Sequence, residues 1–78
     1  MKTVMISLNS IEKVKSFANI IARFDGEFDL VSGRYIVDAK SIMEIFSLNL
    51  YEPLRLDIRS DDQADEVIKA LAAYIVED

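Results

Sequence analysis

The sequence predicts an α+β fold, a four-stranded sheet with helices packed on one side of it. Three observations carry this. Four short stretches alternate apolar and polar residues with period two, around Val4, Phe28, Val37 and Leu56. Two longer stretches repeat their apolar residues every three or four positions, and a short apolar run, Ser41 to Leu48, stands between the third and fourth strands. The resulting order is strand, helix, strand, strand, short helix, strand, helix, within a single domain over residues 1–78.

Residues 2–8 place Val4, Ile6 and Leu8 on one side and Thr3, Met5 and Ser7 on the other, as in a half-buried strand. Asn9 and Ser10 both suit a helix N-cap, and Glu12 completes an Asn-x-x-Glu capping box counted from Asn9. Ile11, Val14, Phe17, Ala18, Ile21 and Ala22 then form the apolar stripe of a helix that ends before Asp25-Gly26, with Lys13, Lys15, Ser16 and Asn19 on its wet side. Phe28 and Leu30, then Tyr35 and Val37, read as a hairpin around Ser32-Gly33, where glycine accommodates a positive φ. The first helix joins two strands by a crossover, so those two strands should run parallel.

Ser41 precedes the apolar run and Glu44 follows three residues later, a capping-box spacing that predicts a two-turn helix. Pro53 forbids helix beyond it. Leu54, Leu56 and Ile58 alternate with Arg55, Asp57 and Arg59 in the fourth strand. Ser60 with Gln63 suggests a last capping box, ahead of a stripe of Val67, Ile68, Leu71, Ala72 and Ile75.

Composition excludes several chemistries. The chain has no cysteine and no histidine, so it offers no thiolate and no imidazole as ligand, nucleophile or base. A net charge of −5 argues against a nucleic-acid backbone as partner. No apolar run approaches ~20 residues, and the expectation is a soluble, cytoplasmic protein without cofactor, metal or membrane contact. Asp61, Asp62, Asp65 and Glu66 suit the dipole of the last helix better than a cation site. Tyr35, Tyr51 and Tyr74 lie on separate elements, and Glu27 and Asp29 read as strand-edge charges. No nucleophile and base pair up, so an enzyme is not expected.

Lys40-Ser41-Ile42-Met43 with Ser47-Leu48, set after a short hairpin, resembles the regulatory-helix region of HPr, the phosphocarrier of the bacterial sugar phosphotransferase system. The resemblance spans essentially the whole chain. It implies an open-faced β-sandwich, β-α-β-β-α-β-α, whose four-stranded antiparallel sheet is covered on one face by three helices. In many Gram-positive members the serine matching Ser41 caps the short helix and is the target of a regulatory kinase.

The family's second motif is Gly-x-His-Ala-Arg-Pro, whose histidine carries the phosphoryl group. Counting back from Ser41 through Phe24, the histidine position falls on Ser10, the arginine position on Glu12 and the proline position on Lys13. A serine ester is a far poorer phosphoryl donor than a phosphoramidate, and Glu12 would repel charge that the family stabilises with a cation. Phosphohistidine transfer is therefore excluded. At Ser41, Glu44 stands where the family usually has glycine, so an added phosphate would meet a nearby carboxylate, partly offset by Lys40.

The resemblance also implies that Ile45 and Leu48 face the sheet, while Ile42, Met43 and Phe46 form a partner-docking surface. Periodicity alone leaves open a second split, with Ile42, Ile45 and Phe46 buried and Met43 and Leu48 outside. With Lys13, Lys15 and Ser16 on the first helix, the first split gives an apolar patch rimmed by polar groups. The expected role is a protein-binding or regulatory module, whose partners would be phosphotransferase enzymes, a kinase or a transcriptional regulator. Regulation of carbon metabolism through phosphorylated Ser41 and a structural, self-associating domain are the alternatives, and the chain is expected as a monomer or a weak homodimer.

Overall fold

Alternation along the strands puts Ile6, Phe28, Leu30, Leu54, Leu56 and Ile58 on one buried face of a sheet, and the helices cover that face. The computed structural model describes residues 1–59 and 61–76. Its elements are β1 (Lys2–Ile6), α1 (Ile11–Ile21), β2 (Phe28–Ser32), β3 (Tyr35–Asp38), α2 (Ile42–Ile45), β4 (Leu54–Ile58) and α3 (Asp61–Ala70). The strand order is β1-β4-β2-β3, and each neighbouring pair is antiparallel. β1 and β2 therefore run in the same direction with β4 inserted between them, which reconciles the expected crossover with an antiparallel sheet.

The core closes where Val14, Phe17 and Ile21 of α1 and Ala64, Val67 and Leu71 of the C-terminal region meet the sheet. Tyr74 meets Phe17 edge-on, with ring centroids 6.5 Å apart. The open face is polar and ordered by register. Thr3, Asp57, Asp29 and Asp38 form one row across the four strands, and Met5, Arg55, Val31 and Ile36 form the next. Carboxylates directly opposite one another are destabilising, and two arginines offset this. Arg55 Nε donates to Asp57 at 3.0 Å, and Arg59 donates to Asp29 from Nε at 2.9 Å and Nη2 at 2.7 Å. Thr3 also donates to Asp57, which is buried although it lies on the expected polar side. The hydrogen bond and then the charge of Asp29 raise the Arg59 guanidinium above its ordinary pKa.

Several local expectations are corrected. The hairpin loop is Gly33-Arg34, with Ser32 paired to Tyr35. Gly33 sits at φ +57° and no other described residue of the loop has positive φ, the pattern of a turn with glycine first. Ser10, rather than Asn9, caps α1: its Oγ accepts from the Lys13 N–H at 3.2 Å, while Asn9 Oδ1 accepts from Lys13 Nζ. Ile11, expected in the buried stripe, is 63% exposed at the first helical position. Ala22, expected in the same stripe, is also exposed.

The proposed last helix divides at Ala70. Beyond it, Ser7 N–H donates to the Tyr74 carbonyl at 2.8 Å and Val76 N–H to the Met5 carbonyl at 2.9 Å, so Ile75 bridges Ile6 as an added strand. Backbone groups on the β1 edge gain partners this way, and Ala72, expected in the buried stripe, is left exposed. Of the expected Ser60–Gln63 box, Ser60 lies outside the described residues, and the Gln63 amide donates to the Asp25 carbonyl at 2.7 Å.

Candidate functional site

The short helix is held in place from below. Ile45 is fully buried and Leu48 nearly so, while Ala39, at the end of the hairpin, packs into the same core. The split with Leu48 outside and Phe46 buried is thus ruled out by the packing. Met43 is 78% exposed and Phe46 39%, and Ile42 is half-buried against the core.

α2 is one turn, not two. Ser47 N–H returns to the Glu44 carbonyl and Leu48 N–H to the Ile45 carbonyl, three-residue bonds that tighten the chain out of the α-helix. Ser47 Oγ takes the same Glu44 carbonyl at 2.6 Å. The capping box at Ser41 does not form. Ser41 occupies the N-cap position with extended backbone, yet its side chain makes no cap hydrogen bond. Its backbone N–H is already held by the Asp38 carbonyl at 3.0 Å, so Glu44 has nothing to reach back for. The Glu44 carboxylate instead accepts from the Asp38 N–H at 3.2 Å, tying α2 to the end of β3. Lys40 braces the same corner. Its ammonium donates to the Phe24 carbonyl at 2.7 Å, in the turn that follows α1, and lies 5.6 Å from the Phe28 ring centroid.

Beside α2 runs an open groove of about 280 Å³, walled by Ser10 and Ile11 on one side and by Phe46, Leu50 and Tyr51 on the other. Tyr51 is almost wholly exposed. Ser10 and Phe46 thus line the same groove. Lys13, Lys15 and Ser16 are exposed on α1 but do not line the groove, and Lys13 is engaged by Ser10 and Asn9. Ile11 and Tyr51 were missed by sequence reasoning. Ile11 has an apolar-stripe spacing that hides its position at the helix start, and Tyr51 lies in a connection without periodicity. The Tyr51-Glu52-Pro53 break was the available signal, since a large aromatic next to a proline-terminated turn has little core to enter.

Ser10 Oγ is committed as a helix cap, and the other polar side chains along the groove are the Asn9 and Asn49 amides and the Tyr51 hydroxyl. Among the described residues no group of three or more acidic side chains could hold a metal ion, and no helix is long and apolar enough to cross a membrane.

A family model described as the PTS HPr component phosphorylation site matches residues 12–77. Among solved structures, an HPr from Thermoanaerobacter tengcongensis superposes with a TM-score of 0.77 at 29% identity, covering 94% of this chain and 89% of that one. The phosphocarrier protein HPr from Bacillus anthracis gives a TM-score of 0.71 at 28% identity, covering 96% and 94%. A search of curated proteins gives no match. Strand order, helix placement and the matched residues agree, and the chain belongs to the HPr family of phosphocarriers of the phosphotransferase system.

Proposed function

We propose that this protein is a binding member of the HPr family that docks protein partners through the α2 groove and passes no phosphoryl group. The observation that carries the proposal is the exposure of Ile11, Phe46 and Tyr51 along a groove that also includes Ser10, which the resemblance aligns with the family's histidine, with Met43 exposed on the same short helix. Large apolar side chains that stay in water on so small a chain usually mark an interface, and phenylalanine, tyrosine and methionine suit its centre. The partner is a protein of the phosphotransferase system or a regulator that reads the HPr surface. The reading is non-enzymatic and cytoplasmic. With no histidine in the chain, the phosphoramidate step has no acceptor.

Amide chemical-shift mapping tests this directly. Titration with the phosphotransferase enzymes of the same organism should perturb Ile11, Ile42, Met43, Phe46 and Tyr51, and Met43→Asp should abolish the effect. Perturbation confined to other surfaces, or none at millimolar partner, sinks the proposal.

A second reading, serine-phosphorylated regulation, gains from one observation: the Ser41 hydroxyl is not consumed as a helix cap. Glu44 and Asp38 still stand close, and their charge opposes a phosphate there. Incubation with a cognate HPr kinase and mass spectrometry decides it. Stoichiometric phosphate on Ser41 supports regulation, and an unmodified Ser41 rejects it.

A further inference from the structure

The two edges of the sheet differ. On the β1 side Tyr74 to Val76 add backbone pairing, whereas β3 ends the strand order with no strand beside it among the described residues, only Glu44 and Ser41 meeting its Asp38 end. We propose that β3 pairs edge to edge with β3 of a second copy of this chain, antiparallel and centred on Ile36, in a weak two-fold dimer separate from the α2 groove.

Backbone directions fix the register. Ala39 N–H donates to the Phe28 carbonyl, so Tyr35, Val37 and Ala39 turn their backbone groups toward β2, and Ile36 and Asp38 turn theirs outward. At Asp38 the outward groups are already used: its N–H by the Glu44 carboxylate and its carbonyl by the Ser41 N–H. Ile36 N–H and C=O remain as the strand's outward pair. An isoleucine on a two-fold axis exchanges both hydrogen bonds with its own copy.

Side chains agree with that centre. Ile36 is 66% exposed and ends the row containing Met5, Arg55 and Val31, so pairing there extends a partly apolar row across the axis. Exposed apolar side chains on an open edge favour pairing with another strand. Two residues to either side stand Arg34 and Asp38. In the antiparallel register Arg34 of each copy lies opposite Asp38 of the other, twice. Neither has a salt bridge among the described residues, whereas Arg55 serves Asp57 and Arg59 serves Asp29 and Glu27. The Asp38 carboxylate accepts only the neighbouring Lys40 N–H. It is the third carboxylate of its row and the one without an arginine. The segment Arg34-Tyr35-Ile36-Val37-Asp38 is thus complementary to itself in charge and in backbone polarity.

A five-residue strip on each copy falls far below the ~1,600 Å² of a standard interface, so dissociation constants of roughly 0.1–1 mM are expected. Sedimentation equilibrium of the full chain from about 10 μM to 2 mM, a span bracketing that range, tests the proposal. The weight-average mass should rise toward that of two chains. Arg34→Asp, on an exposed turn, should weaken association roughly 10-fold, because two attractions become two repulsions. Asp38→Arg should do the same, and the Arg34→Asp/Asp38→Arg pair should recover most of the affinity. A single-chain mass at every concentration overturns the proposal. So does association that Arg34→Asp leaves unchanged, and so does association lost on Tyr51→Asp, which would place the contact at the groove.

Discussion

Replacing Ile45 by alanine should cost this protein about 2–4 kcal/mol, whereas Met43→Ala, two positions away on the same turn, should change stability by less than ~0.5 kcal/mol. The difference follows from their surroundings. Ile45 is fully buried between the hairpin and the core, so truncation removes transfer free energy and leaves a cavity under a one-turn helix. Met43 is mostly in water and loses little. For a domain of this length total stability is roughly 4–12 kcal/mol, so the Ile45 variant forfeits a large part of it. The midpoint of thermal unfolding should fall by roughly 10–25 °C. Urea unfolding followed by far-UV circular dichroism measures the stability change, with unchanged m-values confirming that the comparison is of like states, and a thermal scan at the same wavelength gives the midpoint. Equal costs at the two positions, or a cost below ~1 kcal/mol at Ile45, would mean that α2 presents a different face. The docking proposal would then lose its geometric basis.

Ser10→Ala should destabilise by about 1 kcal/mol through loss of the α1 cap, while Ser41→Ala should be nearly neutral, because its hydroxyl caps nothing; paired denaturation curves check the contrast. Gly33→Ala should cost about 1 kcal/mol although the space around the position is open, since the penalty lies in the positive φ; Gly33→Asn, which tolerates that conformation, should cost less in the same assay. Asp29→Asn should weaken the hold on Arg59 in low-salt denaturation curves, with the difference shrinking at 1 M NaCl, because the guanidinium lies in solvent where salt screens the pair; a salt-independent loss would refute the electrostatic account.

Element type and order were legible because they rest on periodicity. The alternation of Leu54, Leu56 and Ile58 and the spacing of Val14, Phe17 and Ile21 each match a buried face. Local hydrogen bonding was less legible, because it is decided by competition. Ser41-x-x-Glu44 has the capping-box spacing, but the preceding hairpin already supplies the Ser41 N–H with a carbonyl, and Glu44 turns to Asp38. Likewise the apolar spacing of the last segment continues to Ile75, but the β1 edge offers hydrogen bonds that another helical turn does not. At the site, Met43 and Phe46 were placed by family resemblance, since periodicity allowed two splits. Ile11 and Tyr51 came only from the three-dimensional arrangement. The hairpin loop slipped by one residue, from Ser32-Gly33 to Gly33-Arg34, because a lone glycine fits either central position of a primed turn.

On the proposed reading, docking outlasts phosphoryl transfer because the two are supported differently. The resemblance ties transfer to one imidazole at the start of the first helix, with a cation nearby. The proposed docking would use side chains spread over two helices and a loop and anchored by Ile45 and Leu48, which the core needs in any case. A chain without the imidazole keeps that anchor. Ser10, which the resemblance aligns with the imidazole position, accepts the Lys13 N–H, and serine ranks among the preferred N-caps. An exchange of chemistry for a cap therefore gains rather than loses stability, in keeping with the tendency of functional positions to be locally suboptimal. Glu12 fits the same logic: a carboxylate in the first turn of a helix is favourable to the dipole and unfavourable to an incoming phosphate. Ser10 and Glu12 thus favour α1 as a structural element, and on the proposed reading they leave it without a phosphoryl site while Phe46 and Tyr51 along the groove stay open to a partner.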